Sequence, residues 1–166
     1  MDKKYRKNVG IVLCRNGKVL LFARADQKAL QWQFPQGGLE ANEDIVEAAK
    51  RELQEETGLS KVKLLHVMQE PIKYDFPQEM IQKWSKNNPW NKSGYVGQEQ
   101  YWVLFEFCGS DTEINFLTHP EEVEFKDYKW TDISEAVKEI IYFKKQVYQK
   151  VADCFTPYIL ENSHGN

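Results

Sequence analysis

Apolar residues follow two rhythms along this chain. Val9 to Arg15 (VGIVLCR) and Lys18 to Arg24 (KVLLFAR) are dense, β-prone runs separated by Asn16-Gly17, the strongest short signal for a hairpin. Trp32-Gln33-Phe34 predicts a short strand ending at Pro35, and Lys61 to Gln69, Gln100 to Cys108 and Glu124 to Trp130 predict three more. The second rhythm is helical. It runs from about Glu43 to Thr57, with Asn42 or Glu43 near its start. It returns from Ser134 to Phe155, where Ile140, Ile141, Phe143, Val147 and Val151 recur at favourable spacings behind a cap at Asp132 or Ser134. Strands interleaved with two helices predict an α/β layered domain with a mixed sheet. Pro71 to Gln98 has neither rhythm and is expected to be a long loop, of the kind that usually serves as a lid or substrate loop. Residues 161–166 (ENSHGN) are expected to fray.

On the first helix Ile45, Val46, Ala49 and Leu53 form the apolar stripe, while Glu47, Lys50 and Gln54 lie opposite it. Glu52, Glu55 and Glu56, at i, i+3 and i+4, are neighbours bordering that stripe. Gly58 then stops the helix. Three carboxylates therefore crowd the negative end of the helix dipole, where cations are favoured. A helix built only for stability would carry lysines there. Partly desolvated carboxylates repel one another, and a divalent cation is the usual remedy. All candidate ligands are oxygens, and His66, His119 and His164 lack metal-ligand spacing. Such a donor set suits Mg²⁺ or Mn²⁺ and disfavours zinc.

Composition narrows the rest. A chain of 166 residues, 42% hydrophobic and 28% charged, is long enough for one globular domain with a proper core. No stretch approaches the ~20 apolar residues of a membrane span, and MDKKYRKN lacks the apolar region of a secretory signal. Cys14, Cys108 and Cys154 are odd in number and widely spaced, as expected for reduced thiols in a cytoplasmic protein. A formal net charge of −3 argues against bulk electrostatic binding to DNA or other nucleic acid. A nucleotide reached through metal ions and a few local basic groups is still compatible with it. No oligomeric state follows from these features.

Residues 37–59 read G-x5-E-x7-R-E-U-x-E-E-x-G-U, with Gly37, Glu43, Arg51, Glu52, Leu53, Glu55, Glu56, Gly58 and Leu59 in place. A chance match is about one in a hundred million per placement, given ordinary residue usage. By this segment the chain resembles the Nudix hydrolases. The resemblance implies an α/β/α sandwich with a mixed sheet between helices, formed as one domain over residues 1–160. It also implies a loop–helix–loop that holds divalent cations against a diphosphate. Glu52, Glu55 and Glu56 would be metal ligands, helped by a backbone carbonyl near Gly37. Arg51 would orient them, with Glu43 as its counter-ion. The implied cofactor is Mg²⁺, with Mn²⁺ as a substitute.

The flanking segments YRKNVGIVL, WQFPQGG, GQEQYWVLFEF, EINFL, VEFKDYKW and FKKQVY resemble the RNA 5′-pyrophosphohydrolase and dinucleoside-polyphosphate hydrolase group. That likeness extends from about Tyr5 to Phe155. It implies Glu124 as a further metal ligand or base, with Glu121 and Glu122 close enough to leave the choice open. It implies Phe143, beside Lys144 and Lys145, as a base-stacking ring, against the alternative of a helix core residue. Tyr74 stands where diadenosine-polyphosphate hydrolases carry a tyrosine, or is a loop packing residue. Arg6 and Arg24 are phosphate contacts or ordinary surface arginines. Two features depart from the group: Ala25 stands where a second arginine often follows Ala-Arg, and the loop Gln78 to Tyr95 is longer, with Trp84 and Trp90. The expected activity is cleavage of a phosphoanhydride in a nucleotide or RNA 5′ end, or in a dinucleoside polyphosphate. A hydrolase that sanitises oxidised mononucleotides and a non-catalytic nucleotide-binding module are the alternatives, and retention of every box glutamate favours the enzyme.

Overall fold

The computed structural model describes residues 3–87 and 94–162. Asn16 and Gly17 both take positive φ, 53° and 79°, as a two-residue I′ turn requires. They fold β1 (Lys4–Arg15) back on β2 (Lys18–Arg24) with Arg15 opposite Lys18. The elements that follow are β3 (Trp32–Gln33), β4 (Gln36–Gly38), α1 (Ile45–Thr57), β5 (Val62–Val67), β6 (Ile72–Asp75) and α2 (Gln78–Asn87). The chain continues through β7 (Tyr95–Phe107), β8 (Phe125–Thr131), α3 (Ile133–Glu139) and α4 (Lys145–Glu161). Strands run in the order β3-β2-β1-β7-β5, with β4 also on β1, β6 on β7 and β8 on β2. At the centre β1 and β7 pair in parallel, and the other pairings are antiparallel. The sheet is mixed, as expected.

Alternation along the strands loads both faces with apolar residues, so both must be covered. Ile11, Leu13, Phe22 and Phe105 pack with Ala48, Ala49 and Leu53 of α1 on one face. Val12, Leu21, Trp102 and Leu104 pack with Val147, Val151 and Phe155 of α4 on the other. The result is an α/β/α sandwich. Gly10 is fixed by this packing, because a Cβ there would lie 2.5 Å from the Trp102 ring.

Several sequence expectations need correction. The polar start of β1, Lys4 to Asn8, pairs with Tyr95 to Gln100 of β7, so both strands begin earlier than their apolar runs. Gln36–Gly38, to which the sequence assigned no element, forms a strand on β1. The stretch read as a long loop contains β6 and α2. In β6 Ile72 and Tyr74 are buried while Lys73 and Asp75 are exposed, an alternation too short to stand out in sequence. Pro77 starts α2, its carbonyl accepting from Met80 and Ile81 at 3.0 and 3.2 Å. Trp90 and the side chain of Trp84 lie outside the described residues. The second predicted helix is two helices. Ile140 and Ile141 are extended, with ψ of 149° and 141°, and a 3-10 turn, Tyr142–Lys144, leads into α4. Periodicity survives that break because α3 and α4 cover the same face. Helix α4 runs on to Glu161, within the segment expected to fray, and residues 163–166 are outside the described set. Among the described residues no helix is long and apolar enough to cross a membrane.

Candidate active site

Helix α1 is fixed at both ends. Asp44 caps it, accepting from the Glu47 N–H at 3.0 Å, while Asn42, one of the expected starts, takes a left-handed φ of 64° in the preceding turn. Gly58 closes the far end with φ 79°, its N–H donating to the Gln54 carbonyl at 2.9 Å. No basic residue occupies the last turn. Instead the chain after β7 ties down the end: Asn115 N–H donates to the Thr57 carbonyl at 2.7 Å, and the Thr118 hydroxyl donates to the Glu55 carbonyl. This anchored segment leads directly to Glu124.

Arg51 is held by a fork. Its Nε and Nη2 donate to the two Glu43 oxygens, each at 2.9 Å. Nη1 donates to Glu52 at 2.8 Å, Nη2 donates to the Gly38 carbonyl at 3.2 Å, and Glu55 stands 3.5 Å from Nη1. Bidentate pairing fixes orientation as well as charge. The Arg51 guanidinium holds the Glu43 carboxyl below its usual range, and Glu43 pushes Arg51 further towards permanent protonation.

Against this clamp sits the acidic cluster. Burial raises the Glu52 carboxyl, partly opposed by Arg51. Gly37 presses on it so closely that an added Cβ would lie 2.0 Å from the Glu52 carboxyl carbon. Glu56 is the most perturbed: burial first, then the charges of Glu52, Glu124 and Glu55, push it well above the carboxylate range. Glu52 is within hydrogen-bonding reach of it, and Glu56 Oε2 is buried with no partner among the described residues. Glu124 stands at the rim just before β8, raised by burial and opposed by Arg24. The fold therefore gathers Gly37, Glu52, Glu55, Glu56 and Glu124 from three separate segments. Glu121 is exposed and paired with His119 at 3.6 Å. Among the described residues no three acidic, histidine or cysteine side chains already converge as a finished ligand set. An orphaned buried carboxylate oxygen among other carboxylates nonetheless fits a hard divalent cation, which would supply the missing partner.

The expected substrate contacts divide. Arg6 reaches the site: its Nη2 comes 2.8 Å from where a Cβ on Gly38 would sit, and its charge acts on Glu52. Arg24 arrives already engaged, its fork on Asp26 at 2.9 and 2.6 Å. Tyr74 lies in a strand rather than a loop, buried, its hydroxyl donating to Gln98 at 2.5 Å and its ring lining a cavity with Phe143. Phe143 is partly buried in the turn before α4, its ring 6.1 Å from that of Tyr74.

Sequence reasoning missed two features. Lys144 is 6% exposed, its ammonium 6.0 Å from the Tyr74 ring and without a hydrogen bond or ion pair to the described residues. Burial, then the Arg24 charge, pushes it down to about 8. The second is a polar thread inside the sheet: Gln100 donates to Gln36 at 2.9 Å, leaving the Gln100 and Asn8 side-chain oxygens buried and without a partner among the described residues. Gln98 and Gln100, two apart and so on one face of the strand that continues into WVLF, were the available signal for it. For Lys144, flanked by two other polar or aromatic residues in a turn, no such signal existed.

Comparison with known proteins identifies the family and the fold. A family model described as the NUDIX domain matches residues 4–151. An RNA pyrophosphohydrolase from Dinoroseobacter shibae is 42% identical over 160 residues, covering 93% of this chain and 94% of its own. Among solved structures, an E. coli dihydroneopterin triphosphate pyrophosphohydrolase superposes with a TM-score of 0.63 at 19% identity, over 89% of this chain and 97% of that one. A C. elegans Ap4A hydrolase superposes with a TM-score of 0.60 at 16% identity, over 92% and 98%. At these identities the structural likenesses establish the fold alone.

Proposed function

The chain belongs to the Nudix hydrolase family, and from that premise we propose that it is a Mg²⁺-dependent pyrophosphohydrolase of 5′-triphosphate RNA ends. The observation that carries the reading is the unpartnered, buried Glu56 Oε2, set among Glu52, Glu55 and Glu124 at a helix end with no compensating base. Glu52, Glu55, Glu56 and Glu124, with the backbone at Gly37, would hold the ion. When bound, it neutralises charge on the transferring phosphoryl group and activates the attacking water.

The remaining work falls to the chain itself. Arg51, pinned by Glu43, fixes the Glu52 carboxylate through its 2.8 Å bond and so acts as a positioning residue. Arg6 and the buried Lys144 supply positive charge for a polyphosphate, which an acidic site otherwise repels. Burying Lys144 without an anion costs stability, and that cost is relieved when a phosphate arrives. Phe143 offers a ring for a nucleobase.

The RNA reading is supported by the near-full-length similarity to a protein named RNA pyrophosphohydrolase. A dinucleoside polyphosphate is the second reading. It is favoured by Ala25, which follows the engaged Arg24 where a further arginine would grip a long anionic chain. Rates on triphosphorylated RNA, diadenosine tetraphosphate and oxidised dGTP, with Mg²⁺ and with chelator, test these readings together. The expected result is highest kcat/KM on RNA and no turnover with EDTA. Comparable rates in EDTA would overturn the metal mechanism, and a preference for oxidised dGTP would make the enzyme a nucleotide sanitiser.

A further inference from the structure

Residues 108–124 run from the end of β7 to Glu124, which stands immediately before β8. A connection this long samples many arrangements unless bonds pin it. Three sets of bonds do so. At its start, Asp111 accepts from Arg15 Nη2 at 2.8 Å and from Trp130 Nε1 at 3.0 Å. The Arg15 guanidinium also lies 4.5 Å from the Trp130 ring and donates to the Gly109 carbonyl at 3.3 Å. At its end, the Ala25 N–H donates to the Glu124 carbonyl at 2.9 Å. The pairing of β2 with β8 shifts register there, between Ala23 and Arg24, and such bulges re-aim a side chain. These two posts stand on the sheet, through β1, β2 and β8. Neither touches α1.

The middle set is the one that reaches the helix. Phe116 is wedged against the sheet, its ring edge-on to Phe22 at 6.0 Å and to Phe125 at 6.5 Å. On one side of it the Asn115 N–H holds the Thr57 carbonyl at 2.7 Å. The Asn115 side chain accepts the Leu117 N–H at 2.9 Å, a local turn, and the Thr118 hydroxyl then donates to the Glu55 carbonyl. Beyond Thr118 the chain bonds only to itself among the described residues until the post at Ala25. Glu122 N–H donates to the His119 carbonyl at 2.9 Å, and His119 lies 3.6 Å from Glu121. Thr118 is therefore the last hold on α1 before Glu124.

Thr118 is exposed. An exposed hydroxyl–carbonyl bond adds little to stability, because water offers the same partners. Its consequence is geometric. The residue it grips, Glu55, carries a carboxylate 3.5 Å from Arg51 Nη1, so the strap and the arginine clamp meet on one residue. Glu124 at the strap's end is near enough for its charge to act on Glu56.

We infer that Thr118 is a positioning residue for the reaction, its hydroxyl holding the strap on Glu55 so that Glu124 faces the carboxylates of α1. The inference rests on the divalent-metal reading given above, in which Glu124 joins the ligand set.

The test compares wild type, T118V, T118S, E124Q, T118V/E124Q and D111N in the full chain. Mn²⁺ affinity is measured by titration and hydrogen exchange at the Asn115 amide without metal. T118V keeps the side chain's shape and removes the donor. Its Mn²⁺ affinity should fall about tenfold, the scale for outer partners of metal ligands, and Asn115 should exchange faster. T118S should return both to near wild type. On the E124Q background T118V should cost little further, because a residue acting through another has no separate effect. D111N, which alters only the far post, should unfold at lower denaturant while keeping its Mn²⁺ affinity. Wild-type Mn²⁺ affinity in T118V would overturn the inference. So would a tenfold loss that serine does not rescue, or one that persists undiminished on E124Q and so belongs to α1 alone. An equal loss in D111N would do the same, since any loosening of the loop would then suffice. Wild-type protein that binds no Mn²⁺ would instead defeat the metal reading, and faster Asn115 exchange in T118V, reversed in T118S, would leave the strap's hold standing.

Discussion

The carboxylates of the site come almost entirely from one continuous segment, residues 37–59, whereas the basic and aromatic groups around them come from β1, β2 and the turn before α4. The acidic side is arranged by helical geometry: Glu52, Glu55 and Glu56 must be neighbours once residues 45–57 are helical. Its clamp is equally local, Arg51 to Glu43 across eight residues. Lys144, by contrast, is buried only because α4 packs on the sheet and brings it to Tyr74 and Arg24, both far away in sequence. The acidic side carries a buried Glu56 oxygen with no partner among the described residues, and the basic side a buried ammonium on Lys144. The difference teaches that the site's two halves fail in different ways: the acidic half should lose chemistry when altered, and the basic half should gain stability while losing affinity.

The largest effect is expected at the acidic half. Glu56→Gln should leave the fold intact, since the partnerless oxygen contributes no hydrogen bond. Turnover at saturating Mg²⁺ should fall by roughly 10²–10³-fold or more, the scale of losing transition-state charge stabilisation. Near-wild-type turnover would remove Glu56 from the metal site. Next comes the clamp. Glu43→Gln removes the charged fork on Arg51, and metal affinity measured by Mn²⁺ titration should weaken by about 10- to 100-fold, as for other outer partners of metal ligands. An unchanged Mn²⁺ affinity would show that Arg51 does not orient Glu52.

At the basic half the sign reverses. Lys144→Met should raise stability by about 3 kcal/mol near pH 7 while raising KM, because it removes a buried ammonium whose protonation is pushed down to about 8 from 10.5. Below about pH 8 the lysine is protonated in both folded and unfolded chains, so wild type carries the full cost. Between about 8 and 10.5 the unfolded chain binds the extra proton, wild-type stability rises with pH, and the advantage of Lys144→Met should shrink. Denaturant unfolding at pH 7 and pH 10 measures this, and a gain that stays constant with pH would locate the effect in packing alone. The smallest change is expected for Phe143→Ala, a several-fold rise in KM with little change in kcat. Lowered stability with an unchanged KM would assign Phe143 to the core face it partly occupies.

How far the sequence carried the picture varied by element. The hairpin at Asn16-Gly17, the extent of α1 to Thr57 and the acidic cluster were legible, because each depends on residues within one turn or one hairpin of each other. Helix α2 was not, because its ten amphipathic residues are set inside a Pro- and Asn-rich stretch whose breaker residues outweighed the helical rhythm. The start of β7 at Tyr95 was hidden for a different reason: its first residues are polar and become strand only by pairing with β1. Glu124 was found by resemblance, and the tie from Asn115 and Thr118 to the end of α1 explains how it comes to the helix. Tyr74 was expected in a loop, and its place in β6 with the hydroxyl donating to Gln98 depends on the pairing of β6 with β7, which no local pattern shows.

By itself the sequence determined a helix ending in three carboxylates, with an arginine, its counter-ion and a closing glycine at set intervals. Those contacts span few residues, so helical geometry alone brings them together. Only the tertiary structure decided which charges that cluster meets. The parallel pairing of β1 with β7, the approach of Glu124, the burial of Lys144 and the bond from Thr118 to Glu55 all join segments tens of residues apart. Such contacts are selected by how two apolar faces of one sheet are covered at once, a property of the whole chain that no local pattern encodes.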